Sequence, residues 1–267
     1  MAQDKTELAW VRRVCRNIEM PGPAQKELER AARTQLPPQV WTVARGLGDP
    51  DRAEESWKKL KVLLEPDPDG WKMLFVQLSQ TGVALDRLKR QGFEEQEGWD
   101  TLGAFSRFVR EQLACGRCAF DRDFWTWRQT SGRIVRLGCL EYEPLEDRVM
   151  LHIPSGADLS APALDASLAR ARVHWEEAPF CCESWLLSPA LEALLPPDSR
   201  IRAFRGRFAL ESACPQGDEF VRWVFEGTSL PPAQWPERTR LQRAIKAHVR
   251  AGGSIGSGLG VLKETRR

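Results

Sequence analysis

Apolar residues recur every three to four positions through the first half of the chain, and that spacing predicts helices. Leu8, Val11, Val14 and Cys15 align within residues 4–18. A second run opens at Pro23, passes Leu28 and Ala32, and stops before Pro37 and Pro38. Asp51 is placed to cap a segment carrying Trp57, Leu60 and Leu64, closed by Pro66 and Pro68. Asp69 is placed to cap residues 71–80, with Leu74, Phe75 and Leu78 inward, before Gly82 interrupts and a further segment runs to Arg90. Leu102, Phe105, Phe108, Val109 and Leu113 form a stripe over residues 101–113, and residues 121–128 read as another short helix.

The pattern changes near Gly132. Residues 133–142 and 148–153 read as two strands joined as a hairpin. Asp158 or Ser160 caps a helix with Leu164, Leu168, Ala171 and Trp175 on one face. Residues 180–187 form a short apolar run, and Ser188-Pro189 reads as the start of a helix to Leu195. Residues 201–210 read as a strand with mixed faces and 219–226 as another. Residues 239–250 read as a helix ended by Gly252 and Gly253, and Val261 and Leu262 as a last strand. The expected class is therefore α+β: an all-helical N-terminal domain over residues 1–131, then an α/β domain over 132–267.

Composition narrows the classes. At 267 residues and 42% hydrophobic, the chain can bury a core, which excludes wholesale disorder and fibrous repeats. No stretch approaches the roughly 20 apolar residues that span a bilayer, and the polar start lacks an apolar signal core. The expectation is a soluble, cytoplasmic protein without membrane partners. The 39 basic residues are balanced by 37 acidic ones, which argues against a nucleic-acid partner. Seven cysteines are scattered, as expected of reduced thiols.

The chemical motifs are sparse. Cys115-Gly-Arg-Cys118 is a CxxC without the second ligand pair that zinc needs, so two helix-terminal thiols is the preferred reading and no metal is expected. Cys181 and Cys182 lie on a short buried strand and point to opposite faces. His152 stands at a strand end before a loop, a natural position for an acid, base or ligand. His174 and His248 read as surface residues late in helices. The Gly-rich residues 250–260 follow a helix rather than precede one, so they read as a helix stop and a turn into an edge strand, not as a phosphate loop.

Three stretches carry a family resemblance. They are Arg133-Ile-Val-Arg-Leu-Gly-Cys-Leu-Glu-Tyr-Glu143, Leu151-His-Ile-Pro-Ser-Gly-Ala-Asp-Leu159 and Cys182-Glu-Ser-Trp-Leu-Leu-Ser-Pro-Ala-Leu191, the last followed by Leu195-Pro-Pro-Asp-Ser199 and Phe204-Arg-Gly-Arg-Phe208. Thr239-Arg-Leu-Gln-Arg-Ala244 with Gly252-Gly253 also fits. Together these resemble bacterial acyltransferase-domain-containing proteins, which pair a helical N-acyltransferase N-terminal domain with a GNAT-like C-terminal domain. The resemblance implies transfer of an acyl group, acetyl by default, from acyl-CoA to the amine of a small molecule or peptide. It also implies a base for the amine, a cradle for the CoA pyrophosphate and a strand pair parted to admit pantetheine. His152 and Glu183 are the candidate bases. Ser184, Trp185, Ser188, Arg205 and Arg207 are the candidate CoA contacts. The family's Gly-rich cradle is expected after residues 182–187, where Ser188-Pro-Ala-Leu stands instead, and the only tyrosine, Tyr142, sits in a strand away from any leaving thiolate. The alternative is a GNAT-like fold without catalysis that binds a ligand or protein; a metal- or nucleic-acid-binding regulator would rest on the CxxC and the Arg content alone.

Overall fold

The computed structural model describes residues 2–225 and 227–263, with side chains from residue 6. The chain divides into two compact units, Met1–Arg136 and Leu137–Arg267.

The first unit is helical: α1 Ala2–Asn17, α2 Gly22–Arg33, α3 Pro38–Ala44, α4 Ala53–Leu63, α5 Trp71–Arg90, α6 Glu95–Ala114 and α7 Asp123–Ser131. The apolar stripes lie where the periodicity puts them. Val11, Val14, Leu28, Leu74, Leu78, Leu102, Phe105 and Val109 share one core. Val40, Leu47, Leu60, Val76 and Trp127 form another, so α5 is apolar on two sides and is the central helix. Gly82 does not break α5. Helix α3 was hidden between prolines, yet Pro38 at its first turn needs no amide partner. Asp69 is not the cap of α5. The carboxylate of Asp67 accepts from the amides of Lys72 and Met73 at 3.1 and 2.9 Å. A polar knot around the buried Asp123 joins α4 to α7: Asp123 accepts from Trp57 Nε1 at 2.7 Å and pairs with the exposed Lys61 at 3.0 Å.

From β2 on, the second unit carries the sheet, and β1 spans the boundary at residues 136 and 137: β1 Val135–Leu137, β2 Leu140–Pro144, β3 Val149–His152, β4 Phe180–Ser184, β5 Phe208–Cys214 and β6 Ser257–Leu262, in the order β1-β2-β3-β4-β6-β5. β2 and β3 form the expected antiparallel hairpin, but the single strand expected over residues 133–142 is two, β1 and β2, parted by a turn at Gly138 and Cys139. β3 runs parallel to β4, which requires a crossover element. α8, Ala161–His174, supplies it. β4–β6 and β6–β5 are antiparallel, with a register shift in β5 between Leu210 and Ser212. The remaining helices are α9 Leu191–Leu194, α10 Arg200–Gly206, α11 Glu219–Val224 and α12 Arg240–Arg250.

Three further sequence readings are corrected. Residues 201–210 are α10 followed by the start of β5, because Ile201, Phe204 and Phe208 obey helical spacing as well as alternation over so short a stretch. Most of residues 219–226 is α11, which buries Phe220 and packs Val221 and Val224 against Phe225 and Trp235; Glu226 lies outside the described residues. The Gly-rich turn leads into β6, an inner strand; β5 is the edge. A Cβ at Gly256 would run into the Cys214 carbonyl, and one at Gly258 would lie 2.6 Å from the Leu187 carbonyl oxygen.

Candidate active site

Strand parity divides the sheet of the second unit into two faces. Tyr142, Leu151, Val149, Phe180 and Cys182 share the face covered by α8. The Tyr142 hydroxyl bonds Ser167 Oγ of α8 at 2.8 Å, and its ring stacks at 6.0 Å on Trp175. Burial pushes its phenol far above the ordinary value. Tyr142 packs between the sheet and α8. Arg172 closes the crossover by donating to the carbonyls of Trp175, Glu176 and Ala178, with its guanidinium 4.0 Å from the Phe180 ring centroid.

The opposite face carries Glu141, Glu143, Met150, His152, Cys181 and Glu183. Here the two candidate bases come to one level. Parallel pairing of β3 with β4 is made at Val149↔Phe180 and Met150↔Cys181, and it stops there although both strands continue. Extending that register by two residues would set His152 opposite Glu183. On its other edge β4 pairs with β6 without a break, from Cys181↔Val261 to Ser184↔Gly258, while the edge towards β3 is left without a ladder beyond Cys181. The parallel pair thus ends in a fork with His152 on one prong and the exposed Glu183 on the other. His152 Nε2 lies 2.9 Å from Glu143 Oε2, and the two side chains are 20% and 8% exposed. Glu141, buried at 2%, lies directly across the ladder from His152. The periodicity of residues 140–144 hid these two carboxylates, since acidic residues are rarely fully buried unless paired.

The strand-to-helix turn that follows the fork is residues 153–160, not the stretch after Leu187. It contains Gly156 at φ +73°, and the Asp158 carboxylate accepts from the Ser160 amide and hydroxyl, both at 2.9 Å. Those bonds, the amide's first, hold Asp158 below the usual carboxylate range. Arg200 reaches the same carboxylate at 3.4 Å.

The expected CoA contacts fall into two groups. Ser184 ends β4 and its hydroxyl accepts from the Leu186 amide at 3.1 Å, while Trp185 packs against the Leu191–Phe225–Ile245 core. Ser188 is buried, donates to the Ile255 carbonyl and accepts from the Ala190 amide at 3.2 Å. The helix it was expected to start is the single turn α9. Arg205 pairs with Glu192 at 2.7 Å and Arg202 with the same carboxylate at 2.6 Å, and these two guanidiniums, Arg205 first, hold Glu192 low. They line a cavity of about 310 Å³ floored by Leu187, Phe208 and Leu210. Arg207 reaches away from it to Asp165 of α8 at 2.5 Å.

The thiols divide by burial. Cys181 and Cys182 are buried, and burial drives the Cys182 thiol up to about 12. Such thiols are poor nucleophiles at neutral pH. Cys115 and Cys118 are exposed, and no group of three or more metal-ligating side chains occurs among the described residues. No helix among them is long and apolar enough to cross a membrane.

Residues 10–132 match the N-acyltransferase N-terminal domain, and residues 113–262 match the GNAT-like C-terminal domain. No curated protein matches. Among solved structures, an acyltransferase in complex with CoA and 10C-teicoplanin superposes with a TM-score of 0.78 at 23% identity, covering 95% of this chain and 87% of its own. An acyltransferase mutant in complex with octanoyl-CoA gives 0.79 at 24% identity, over 96% and 88%. A third, with decanoyl-CoA and teicoplanin, gives 0.75 at 24%, over 95% and 87%. The fork, the crossover helix and the two family matches agree: the chain belongs to the GNAT-like C-terminal domain family and carries the N-acyltransferase N-terminal domain ahead of it.

Proposed function

We propose that this protein transfers an acyl group from acyl-CoA to a primary amine on a small molecule. The observation that carries this reading is the fork between β3 and β4. Two parallel strands that part leave backbone amides and carbonyls facing a gap, and the amide groups of pantetheine can pair there as an inserted strand. The thioester would then lie between His152 and Glu183. In the reaction, the amine nitrogen attacks the thioester carbonyl, a C–N bond forms and the C–S bond breaks. The proton lost by the amine passes to the base, and the CoA thiolate recovers one as it leaves. His152 is the base we favour, since it is partly shielded and hydrogen-bonded, whereas Glu183 is exposed.

The pyrophosphate belongs at the turn 153–160, where α8 offers first-turn amides, although Pro162 withholds one donor. Its arrival would displace the Asp158 carboxylate and release Arg200 to the phosphates. Ser184, Trp185 and Arg205 remain candidates for the pantetheine flank. Ser188 and Arg207 are less suited, because both are committed within the fold. Structural neighbours that bind octanoyl- and decanoyl-CoA favour a medium acyl chain over acetyl, and the teicoplanin complexes favour a small-molecule acceptor over a peptide.

Titration calorimetry with CoA, acetyl-CoA and octanoyl-CoA tests the reading. A Kd near micromolar, about −8 kcal/mol, with octanoyl-CoA tighter than acetyl-CoA, is expected. Thiol release with a panel of primary amines then reports turnover. Absence of binding at millimolar ligand would overturn it and leave the alternative, a GNAT-like fold that binds another ligand or a protein.

A further inference from the structure

We propose that Glu143 is a positioning residue that fixes the imidazole of His152 in one tautomer and so decides which of its nitrogens takes the proton of the amine. The inference rests on the acyltransferase reading for its use, but not for its geometry. Glu143 Oε2 lies 2.9 Å from His152 Nε2. An ionised Glu143 only accepts, so in that pair Nε2 carries the hydrogen and Nδ1 is the basic atom. During transfer the amine proton goes to Nδ1, the imidazolium is stabilised by the Glu143 charge, and the same proton is available to the departing thiolate.

The pairing is built into the hairpin. Leu145 donates to the Arg148 carbonyl at 2.8 Å and closes the turn between β2 and β3. That closure sets Glu143↔Met150 and Glu141↔His152, which places Glu143 diagonally beside His152 on the same face. A slip of one residue would turn both side chains to the other face. The charged groups on the neighbouring strands that face His152 are Glu141 and Glu143 on β2 and, across the fork, Glu183 on β4.

The test uses the whole chain labelled with 15N-histidine. The protein has three histidines, so the signal missing in His152→Ala identifies His152. The wild type is expected to show His152 protonated at Nε2 when neutral. Glu143→Gln, which keeps the shape and removes the charge, is expected to mix the tautomers. With octanoyl-CoA and benzylamine as probes, it is also expected to lower kcat on the order of 10–100-fold while KM for octanoyl-CoA stays within about twofold. Circular dichroism and the melting temperature verify that the variant is folded. A neutral His152 protonated at Nδ1 in the wild type would overturn the proposal, as would a Glu143→Gln variant with unchanged tautomer and kcat. If the wild type shows no turnover with benzylamine, that result counts against the acyltransferase reading on this amine, and the tautomer measurement still decides the role of Glu143.

Discussion

His152 and Tyr142 sit one strand position out of phase, and that parity separates chemistry from packing. His152 is on the carboxylate face at the fork; Tyr142 is under α8. His152→Ala should lower kcat by on the order of 10²–10⁴-fold, the range for loss of a general base, while Glu183→Gln should lower it less. Stopped-time thiol release checks both, and the reverse order would make Glu183 the base. Tyr142→Phe should leave turnover within about twofold and cost about 1 kcal/mol in urea unfolding, because Ser167 keeps its bond to the Leu137 carbonyl. A large loss of kcat in that variant would restore the phenol as an acid. The sequence exposed His152 through its place before a loop. It did not expose Glu143, because nothing in the run 140–144 says that a buried carboxylate has a partner nine residues on.

Among the elements, those with long apolar stripes were legible. α1, α2, α5 and α6 bury the residues their spacing nominates. The hairpin β2–β3 and α12 were legible too, since each carries its own punctuation. For α12 that punctuation is a capping box: Thr239 Oγ1 accepts from the Gln242 amide at 3.1 Å, and Gln242 Oε1 accepts from the Thr239 amide at 3.1 Å. Thr239→Ala should cost about 1 kcal/mol in chemical denaturation, and a variant as stable as the wild type would show that tertiary packing alone holds the helix start. α10 and α11 were misread because six or seven residues cannot separate a period of 2 from one of 3.6, and β-branched residues tilted the choice to strand. A parted strand pair was implied by the resemblance, but its place in the chain was not legible. Its position depends on where the β3–β4 ladder ends, a pairing between residues 31 positions apart such as Met150↔Cys181.

At the scale of the whole molecule, the seven thiols report on folding and on pH. Cys115, Cys118 and Cys214 should react with a thiol reagent in the native protein, while Cys15, Cys181 and Cys182 should react only after unfolding. Fast native labelling of Cys182 would show that β4 opens. Burial lifts Cys15 and Cys182 from 9.0 to about 12, so in the folded chain they stay neutral where the unfolded chain ionises. Their contribution to stability is whole below pH 9 and is lost as pH rises towards 12. Melting temperature should fall across that window, and Cys182→Ala should flatten the fall.

The glycines of residues 252–260 have a consequence for how variation along this chain is interpreted. Gly256 and Gly258 are crowded by the carbonyls of Cys214 and Leu187. A scanning library sorted only for folded yield, with no acyl-CoA and no acceptor present, should already reject every side chain at these two positions. A glycine kept for phosphate would pass that sort and fail a later one for activity. Invariance here therefore measures how closely two backbones must approach, and a map of fitness would place this segment with the framework, leaving residues 153–160 as the stretch where tolerance of folding and tolerance of function diverge.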